Sequence, residues 1–446
     1  MNNKMKNLFA TLVPIVALCA APLVQAEDLM DVYEIARQND PQIRAAEAAY
    51  QAAREATPQA RSALLPQVNL SGQVTDQEQE VSNVDGGGFL QNTTYQSDIT
   101  GWTLSLNQSI YDHRNWVQLS QAGDTVAQAE AELAAARQDL FIRAAVAYFT
   151  VLAAEDNLRF AQAEKEAIAR QLEQTERRFE VGLIAITDVK ESQAQYDLAV
   201  ASEIAAINLL DNARESLQVL TGQYLENLDP LGERLELAKP EPMDIDAWEQ
   251  RALEQNLRLQ AVRFATERAR REIARQRAGH YPTLDLVASY GETSTDGGRF
   301  GTNDSEDTVI GVQANLPIFS GFRTSSLASE ARALFQQAQE SLEQQRRETS
   351  RLTRASYLNV MSDISRVRAL EQALISTRTA AEATQAGFEV GTRTSVDVLL
   401  ALRETYRAER DYAGARYTYI QNTLRLKQAA GTLSREDLEA VNAWLQ

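Results

Sequence analysis

The chain has 446 residues, a formal net charge of −18, one cysteine and two histidines. A charge this negative argues against binding to nucleic acid or to an anionic membrane surface. Such low cysteine and histidine content nearly excludes metal sites built on those ligands, as well as nucleophilic triads. We therefore expect no enzyme activity, no cofactor and no metal.

Residues 1–26 have the pattern of a secretory signal peptide, with Lys4 and Lys6, an apolar run and a small-residue cleavage site at Val24-Gln25-Ala26. Lipid attachment at Cys19 is the weaker alternative, because Leu18 stands before it where a small residue is expected. No later stretch is apolar for 18 residues, so an exported chain of this kind would be soluble or would span a membrane as β-strands.

The first half of the mature chain, 27–229, is predicted to be one structural repeat. An Ala-rich helix over 28–63, with a break at Asp40-Pro41, precedes alternating apolar and small polar residues that predict a β-hairpin at about 66–111. A long helix with the apolar spacing of a coiled coil follows. It ends in a turn at about 179–188, after which a return helix begins.

The second half, 244–431, repeats this order. We expect a helix over 244–279, a β-hairpin at about 282–319, a long helix, a turn at about 388–397 and a return helix. The segment 230–243 is predicted to link the repeats, and it is expected to pack with the C-terminal segment 432–446 around the equator of the helical region.

The strongest sign of duplication is a motif that occurs at the end of each long helix. In both copies, Asp-Val returns six residues after a glycine that suits a turn between antiparallel helices. The two copies are Phe179-Glu180-Val181-Gly182 with Asp188-Val189, and Phe388-Glu389-Val390-Gly391 with Asp397-Val398.

The two hairpins are predicted to cross a membrane. A sandwich fragment packed on a protein core is the alternative, but two isolated strands are only marginally stable. The predicted strands are long enough to span a bilayer when tilted. A closed barrel needs roughly eight strands, so four per chain require several chains, and a homotrimer gives twelve. The predicted fold class is mainly α with transmembrane β.

This architecture resembles the outer membrane factor (TolC) family over essentially the whole mature chain. The resemblance implies a homotrimer with a 12-stranded outer-membrane β-barrel, continued by a long periplasmic α-helical barrel whose tip is closed at rest. It also implies drug efflux and type I secretion, with a periplasmic adaptor (membrane fusion) protein and an inner-membrane pump as partners. The most specific segments are the two motifs above, with Ala194-Gln195-Tyr196-Asp197 and Thr392-Arg393-Thr394-Ser395 beside them.

The resemblance further implies a periplasmic gate at the second turn. By this resemblance, the Asp397 side chains of three chains would form a ring of carboxylates around a narrow opening. Such a ring repels anions and attracts cations. The family has a second acidic residue one turn further on, where this chain has Leu400. The alternative for a lone aspartate on a helix is a solvated surface carboxylate.

The family holds its tip closed by links between helical hairpins. If the same links form in this chain, Arg393 would pair with Asp188 and the Thr187 region of a neighbouring hairpin. Phe388 replaces the family tyrosine and cannot donate a hydrogen bond, so that link is lost or becomes a packing contact. The alternative is that Arg393 and Asp188 are surface charges worth less than about 1 kcal/mol as a pair.

The turns themselves resemble the loops with which the family contacts its adaptors. They comprise Gly182 and Leu183 in the first copy and Gly391 and Thr392 in the second. The alternative, that the glycines only form turns, is compatible with this role. The sequence thus predicts a passive exit duct. A structural trimeric coiled-coil envelope protein or adhesin is the second hypothesis, and a periplasmic enzyme is the third.

Overall fold

The structure is a computed structural model that describes residues 26–84, 90–233 and 235–445. The predicted signal peptide, except for its last residue, and the glycine loop at 86–88 lie outside the described residues. None of the helices within those ranges has a stretch apolar enough to cross a membrane.

The first repeat begins with three short helices, so the helix predicted over 28–63 has a second break, at Glu55, that the sequence analysis did not expect. The Asp28 and Asp31 side chains form a reciprocal cap at the start of the first of them. The predicted break at Asp40-Pro41 is present, because Asp40 caps the next helix and Pro41 occupies its first turn. The elements are α1 (Leu29–Asn39), α2 (Pro41–Arg54), α3 (Ala56–Ser62), β1 (Gln67–Val84), β2 (Leu90–Tyr111), α4 (His113–Glu180) and α5 (Ile186–Thr221).

The second repeat has the same order of helices, hairpin, long helix and return helix, and it too departs from the sequence prediction. The helix expected over 244–279 is broken at Asn256, so that prediction was wrong. Asn256 has an extended conformation, and its side-chain oxygen accepts a hydrogen bond from the Leu259 N–H at 3.0 Å. An asparagine can cap a new helix without a proline to mark the break. The elements are α6 (Ile245–Gln255), α7 (Leu257–Arg277), β3 (Thr283–Gly297), β4 (Asn303–Asn315), α8 (Arg323–Glu389), α9 (Ser395–Ala429) and α10 (Arg435–Asn442).

The two hairpins join into one antiparallel sheet in the order β1-β2-β3-β4. Strand β2 of the first repeat pairs with β3 of the second, which places Trp102 opposite Glu292. Among the described residues, β1 and β4 have no strand on their outer sides. One face of the sheet is apolar in the half near the helices, and it carries the cross-strand pairs Val68–Leu106, Leu70–Leu104 and Leu286–Val312.

This apolar face is open rather than packed against the protein. Leu70 is 71% exposed, and Val74 and Ile310 are exposed as well. Exposed apolar side chains that alternate with polar ones are typical of a sheet that faces lipid.

The main hydrophobic core lies where the two repeats meet around the middle of the helical region. Tyr148 and Phe149 of α4 are completely buried there, and the Tyr148 hydroxyl donates to the Asp229 carbonyl at 2.7 Å. The linker and the C-terminal segment meet in this region, since the Gly232 N–H donates to the Trp444 carbonyl at 2.8 Å.

The helical hairpins project far beyond this core. Helix α4 has 68 residues and α8 has 67, which corresponds to about 100 Å at a rise of 1.5 Å per residue. Near the turns one small buried apolar cluster consists of Ile168, Ala199 and Leu399, with Tyr196 packed against it, and Phe388 and Val398 are buried outside this cluster. The hairpins are therefore firmly packed at the equator and thinly packed at their ends.

Gly431 provides a test of the equatorial packing. It has a φ of 75°, and a Cβ added there would lie 2.4 Å from the Gln255 carbonyl oxygen at the break between α6 and α7. We expect Gly431→Ala to cost at least about 1–3 kcal/mol and to lower the thermal unfolding midpoint measured by circular dichroism. Gly414→Ala is the control, because a Cβ at this position in α9 meets nothing within 4 Å. An unchanged midpoint in Gly431→Ala would contradict this account of the junction.

Candidate functional site

The two turns that join the long helices to the return helices have the same backbone pattern. Gly182 has a φ of 75° and Gly391 has a φ of 81°. The Leu183 N–H donates to the Arg178 carbonyl at 2.9 Å, and the Thr392 N–H donates to the Gly387 carbonyl at 2.8 Å. Both glycines therefore end a helix in the left-handed conformation that favours glycine.

Both turns present their predicted contact residues to the outside. Gly182, Gly391 and Thr392 are exposed, and Leu183 is 72% exposed. Val181 beside Leu183 is exposed too. Val390 is exposed at the matching position of the second turn. The turns therefore differ mainly in that the first adds the apolar Leu183, whereas the second has Thr392, whose hydroxyl donates to the Gly387 carbonyl at 3.0 Å.

Asp397 has a local role that the sequence analysis did not assign. Its carboxylate accepts a hydrogen bond from the Thr394 N–H at 3.0 Å, and the Thr394 hydroxyl accepts one from the Asp397 N–H at 3.2 Å. This reciprocal pair caps the start of α9. The hydrogen bonds from Thr394, together with the charge of Arg393, lower the pKa of Asp397. The carboxylate is therefore charged at neutral pH, and the cap weakens only as the pH falls through that lowered pKa.

The first turn lacks an equivalent cap. Ala185 stands where the second copy has Thr394, and it makes no side-chain hydrogen bond to the start of α5. Thr187 is exposed and Asp188 is half-buried. The two turns are thus alike in backbone but different in how firmly their return helices begin.

Arg393 is held at the turn by its backbone N–H, which donates to the Gly387 carbonyl at 3.2 Å, and by the aliphatic part of its side chain. A Cβ at Gly387 would lie 2.8 Å from the Arg393 Cγ, so the absence of a side chain at Gly387 makes room for the arginine. Within the described residues of one chain, the guanidinium has no hydrogen-bond or ion-pair partner, and nothing joins it to Asp188. The predicted pairing of Arg393 with Asp188 and Thr187 of a neighbouring hairpin stays a prediction.

Phe388 makes a contact that the sequence analysis missed. Its side chain is only 2% exposed. The Arg178 guanidinium lies over its ring, 4.1 Å from the centroid, and the Arg178 Nη1 donates to the Phe388 carbonyl at 3.1 Å. Arg178 thus links the first hairpin to the second. The one signal in the sequence is that the repeats differ here, with Arg178 in one copy and Gly387 in the other.

The remaining gate candidate, Leu400, is 43% exposed on α9, whereas its neighbour Leu399 is buried.

In the part of the chain that the structure describes, no group of three or more His, Cys, Asp or Glu side chains is arranged to hold a metal ion.

Two repeats of long helical hairpins, attached to one sheet with an exposed apolar face, define a class of proteins: channels that cross the outer membrane by β-strands and extend from it as helices. The sequence model of the family "Outer membrane efflux protein" matches residues 32–223 and 248–432, one stretch in each half of the chain. The chain belongs to this family.

Two curated relatives and one solved structure agree with that membership. The chain is 40% identical to the outer membrane protein TolC of Vibrio cholerae over 449 residues, which covers 99% of both chains. It is 32% identical to the alkaline protease secretion protein AprF of Pseudomonas aeruginosa, covering 93% of this chain and 86% of the relative. The CmeC outer membrane channel of Campylobacter jejuni superposes with a TM-score of 0.78 at 15% identity, covering 95% of this chain and 91% of that one, and shows the fold. The protein is an outer-membrane channel of this family.

The cap at the second turn provides a local prediction. Thr394→Ala removes the side-chain acceptor for the Asp397 N–H, which costs about 1 kcal/mol for a typical cap. We expect amide hydrogen exchange at Asp397 to rise roughly fivefold, measured by mass spectrometry at neutral pH. Thr384→Ala is the control, because the Thr384 hydroxyl donates only to the Ala380 carbonyl within α8. Equal exchange in both variants would contradict the capping role.

Proposed function

We propose that three copies of this chain form one exit duct, with a 12-stranded β-barrel in the outer membrane and an α-helical barrel in the periplasm. The observation that supports this most strongly is the sheet, whose four strands end at β1 and β4 without a further neighbour among the described residues. Unpaired backbone groups at such an edge are not tolerated in lipid. Four strands cannot close on themselves, since small barrels need roughly eight, and three copies supply twelve.

The duct serves efflux of small molecules and type I secretion of proteins. The relatives support both roles, because the family is described by efflux and one relative is named for the secretion of a protease. Cargo enters from an inner-membrane pump through a periplasmic adaptor protein. The adaptor contacts the exposed turns at Gly182, Leu183, Gly391 and Thr392, while outer-membrane lipid covers the apolar face of the sheet.

The periplasmic end acts as the gate. Around a three-fold axis, Asp397 occurs three times, and its lowered pKa in the single chain favours charged carboxylates at neutral pH. Such a ring repels anions and attracts cations. This chain has Leu400 in place of a second acidic residue. The narrow periplasmic end of the duct therefore has one acidic ring, formed by Asp397, followed by an apolar ring formed by Leu400. Arg393 pairs with Asp188 and Thr187 of the neighbouring hairpin.

The test is single-channel recording of purified trimers in planar bilayers. The wild-type protein is expected to give small, cation-selective openings. Asp397→Asn removes the charge but keeps an oxygen that can accept the hydrogen bond from Thr394, so the helix cap persists. We expect this variant to lose most of the cation preference, measured as the reversal potential in a salt gradient.

Asp411→Asn is the matched control. It removes the same charge from α9, but 14 positions further along the helix, which is about 21 Å from Asp397, and it is expected to keep the wild-type selectivity. Unchanged selectivity in Asp397→Asn would rule out the acidic ring. An absence of pores from verified, membrane-inserted trimers would rule out the duct and favour the structural envelope protein.

A further inference from the structure

The residue that follows the predicted cleavage site is fixed in the equatorial region. The Glu27 N–H donates to the Asn227 carbonyl at 3.1 Å, and the Glu27 carbonyl accepts from the Asp229 N–H at 3.2 Å. These two bonds form a short parallel bridge with the segment that follows α5. The nitrogen that cleavage after Ala26 would free is therefore held at a defined position in the fold.

This bridge belongs to the equatorial core. Leu29 and Leu228 beside it are buried. The hydroxyl of the completely buried Tyr148 donates to the Asp229 carbonyl at 2.7 Å and lies 3.5 Å from the Glu27 carbonyl oxygen. The backbone at Glu27 is thus attached to the middle of α4, and water screens a charge placed here only in part.

The C-terminal segment fixes the residues that come next. The Asn442 side chain on α10 donates to the Asp28 carboxylate at 2.8 Å and accepts from the Met30 N–H at 3.3 Å. The start of the predicted mature chain therefore contacts α4, the segment after α5 and α10, which are distant from one another in the sequence.

Three carboxylates lie around the bridge, and we call them the acidic site: Asp28 and Asp31 at the start of α1, and Asp229 on the opposite side of the bridge. Within the described ranges of the chain, none of them forms an ion pair with a lysine or an arginine. Burial, followed by the negative charges of Asp28 and Asp31, raises the pKa of Asp229. Burial, followed by the charges of Asp229, Asp28 and Glu155, raises the pKa of Tyr148. The uncut chain thus has an uncompensated negative charge here.

The other elements packed at this place do not supply the missing positive charge. Arg214 of α5 already pairs with Glu155 at 3.0 Å, and α10 contributes the neutral amide of Asn442. Hydrolysis of the peptide bond between Ala26 and Glu27 would supply it. The water oxygen enters the new Ala26 carboxylate, and the Glu27 nitrogen leaves as an amine that takes up a proton.

We propose that processing between Ala26 and Glu27 completes the equatorial core, because the new α-ammonium group of Glu27 is the cation of the acidic site. The ammonium keeps the hydrogen bond to the Asn227 carbonyl and gains two further N–H donors. The uncut chain makes the same backbone bond but lacks the charge. Removal of the leader is therefore a maturation step of the fold, and the proposal goes beyond the function of the duct.

The test measures the pKa of this α-amino group in purified wild-type trimers. An amine-reactive reagent labels the protein over a range of pH, and mass spectrometry of the N-terminal peptide gives both the starting residue and the labelling rate. A free α-amino group has a pKa of about 7.7–8.0. We expect a value at least about one unit higher, because nearby carboxylates favour the charged form. At neutral pH this makes labelling roughly tenfold slower.

Two variants of equal charge show whether the acidic site is responsible. Asp229→Asn keeps the size of the side chain and both backbone bonds to this residue, and it is expected to remove about half of the rise in the pKa of the α-amino group. Asp211→Asn is the matched control, because Asp211 is an exposed carboxylate on α5, and it is expected to leave the pKa unchanged. A merely structural role of Asp229 would lower the stability of the trimer without changing the titration of the amine.

A further variant covers the case in which Asp229→Asn does not assemble. Insertion of Gly-Ser between Ala26 and Glu27 leaves the cleavage residues in place but moves the ammonium two residues away from the acidic site. We expect the thermal unfolding midpoint of the trimer to fall by at least about 2 °C. In the Asp229→Asn background the same insertion is expected to have a smaller effect, because the two changes remove the same interaction.

Several results would overturn the proposal. It fails if the mature chain begins at a residue other than Glu27, if the α-amino group of the wild type titrates in the ordinary range, or if Asp229→Asn and Asp211→Asn have the same effect. An insertion that leaves the unfolding midpoint unchanged contradicts the maturation step. None of these measurements depends on conduction, so a failure of the duct in bilayer recordings would be distinguishable from a failure of this proposal.

Discussion

The architecture depends on the need to pair every backbone group of a sheet that lies in lipid. One chain provides four strands, and its outer strands β1 and β4 have no further partner among the described residues. A membrane offers no water to satisfy these edges, so other copies of the chain have to do so. Each strand pair also leads directly into a long helix, α4 or α8. Closing the sheet around an axis therefore places the long helices around the same axis.

Stability is distributed unevenly along these helices, and this distribution suits an export duct. The equatorial core contains large buried side chains such as Tyr148 and Tyr419, and the linker and C-terminal segment pack around it. Near the turns only small clusters and a few polar contacts hold the helices together. Parts of a protein that move are necessarily drawn from its less stable regions. A firm middle and a loosely held end allow the end to open without unfolding the protein.

The sequence predicts local features of this structure well and contacts between distant residues poorly. The turns at Gly182 and Gly391 follow from neighbouring residues, and so does the break at Asp40. The reciprocal cap between Thr394 and Asp397 could also have been predicted from the sequence, because the two residues are three apart at the start of a helix. The sequence analysis did not predict it. The break at Asn256 has no proline to mark it. Arg178 and Phe388 are 210 residues apart, and only the folded chain reveals that they touch.

The most direct test of the account is cross-linking of the two sheet edges in membranes. The chain carries one cysteine, Cys19, inside the predicted signal peptide. The mature protein therefore has no native thiol that could react with a maleimide. A variant with Gln73→Cys on β1 and Asp307→Cys on β4 is treated with a short bis-maleimide, and each single variant serves as a control. The account predicts a ladder that ends at three chains for the double variant only. Membrane-inserted protein that stays monomeric, or a ladder that continues past three, would contradict it.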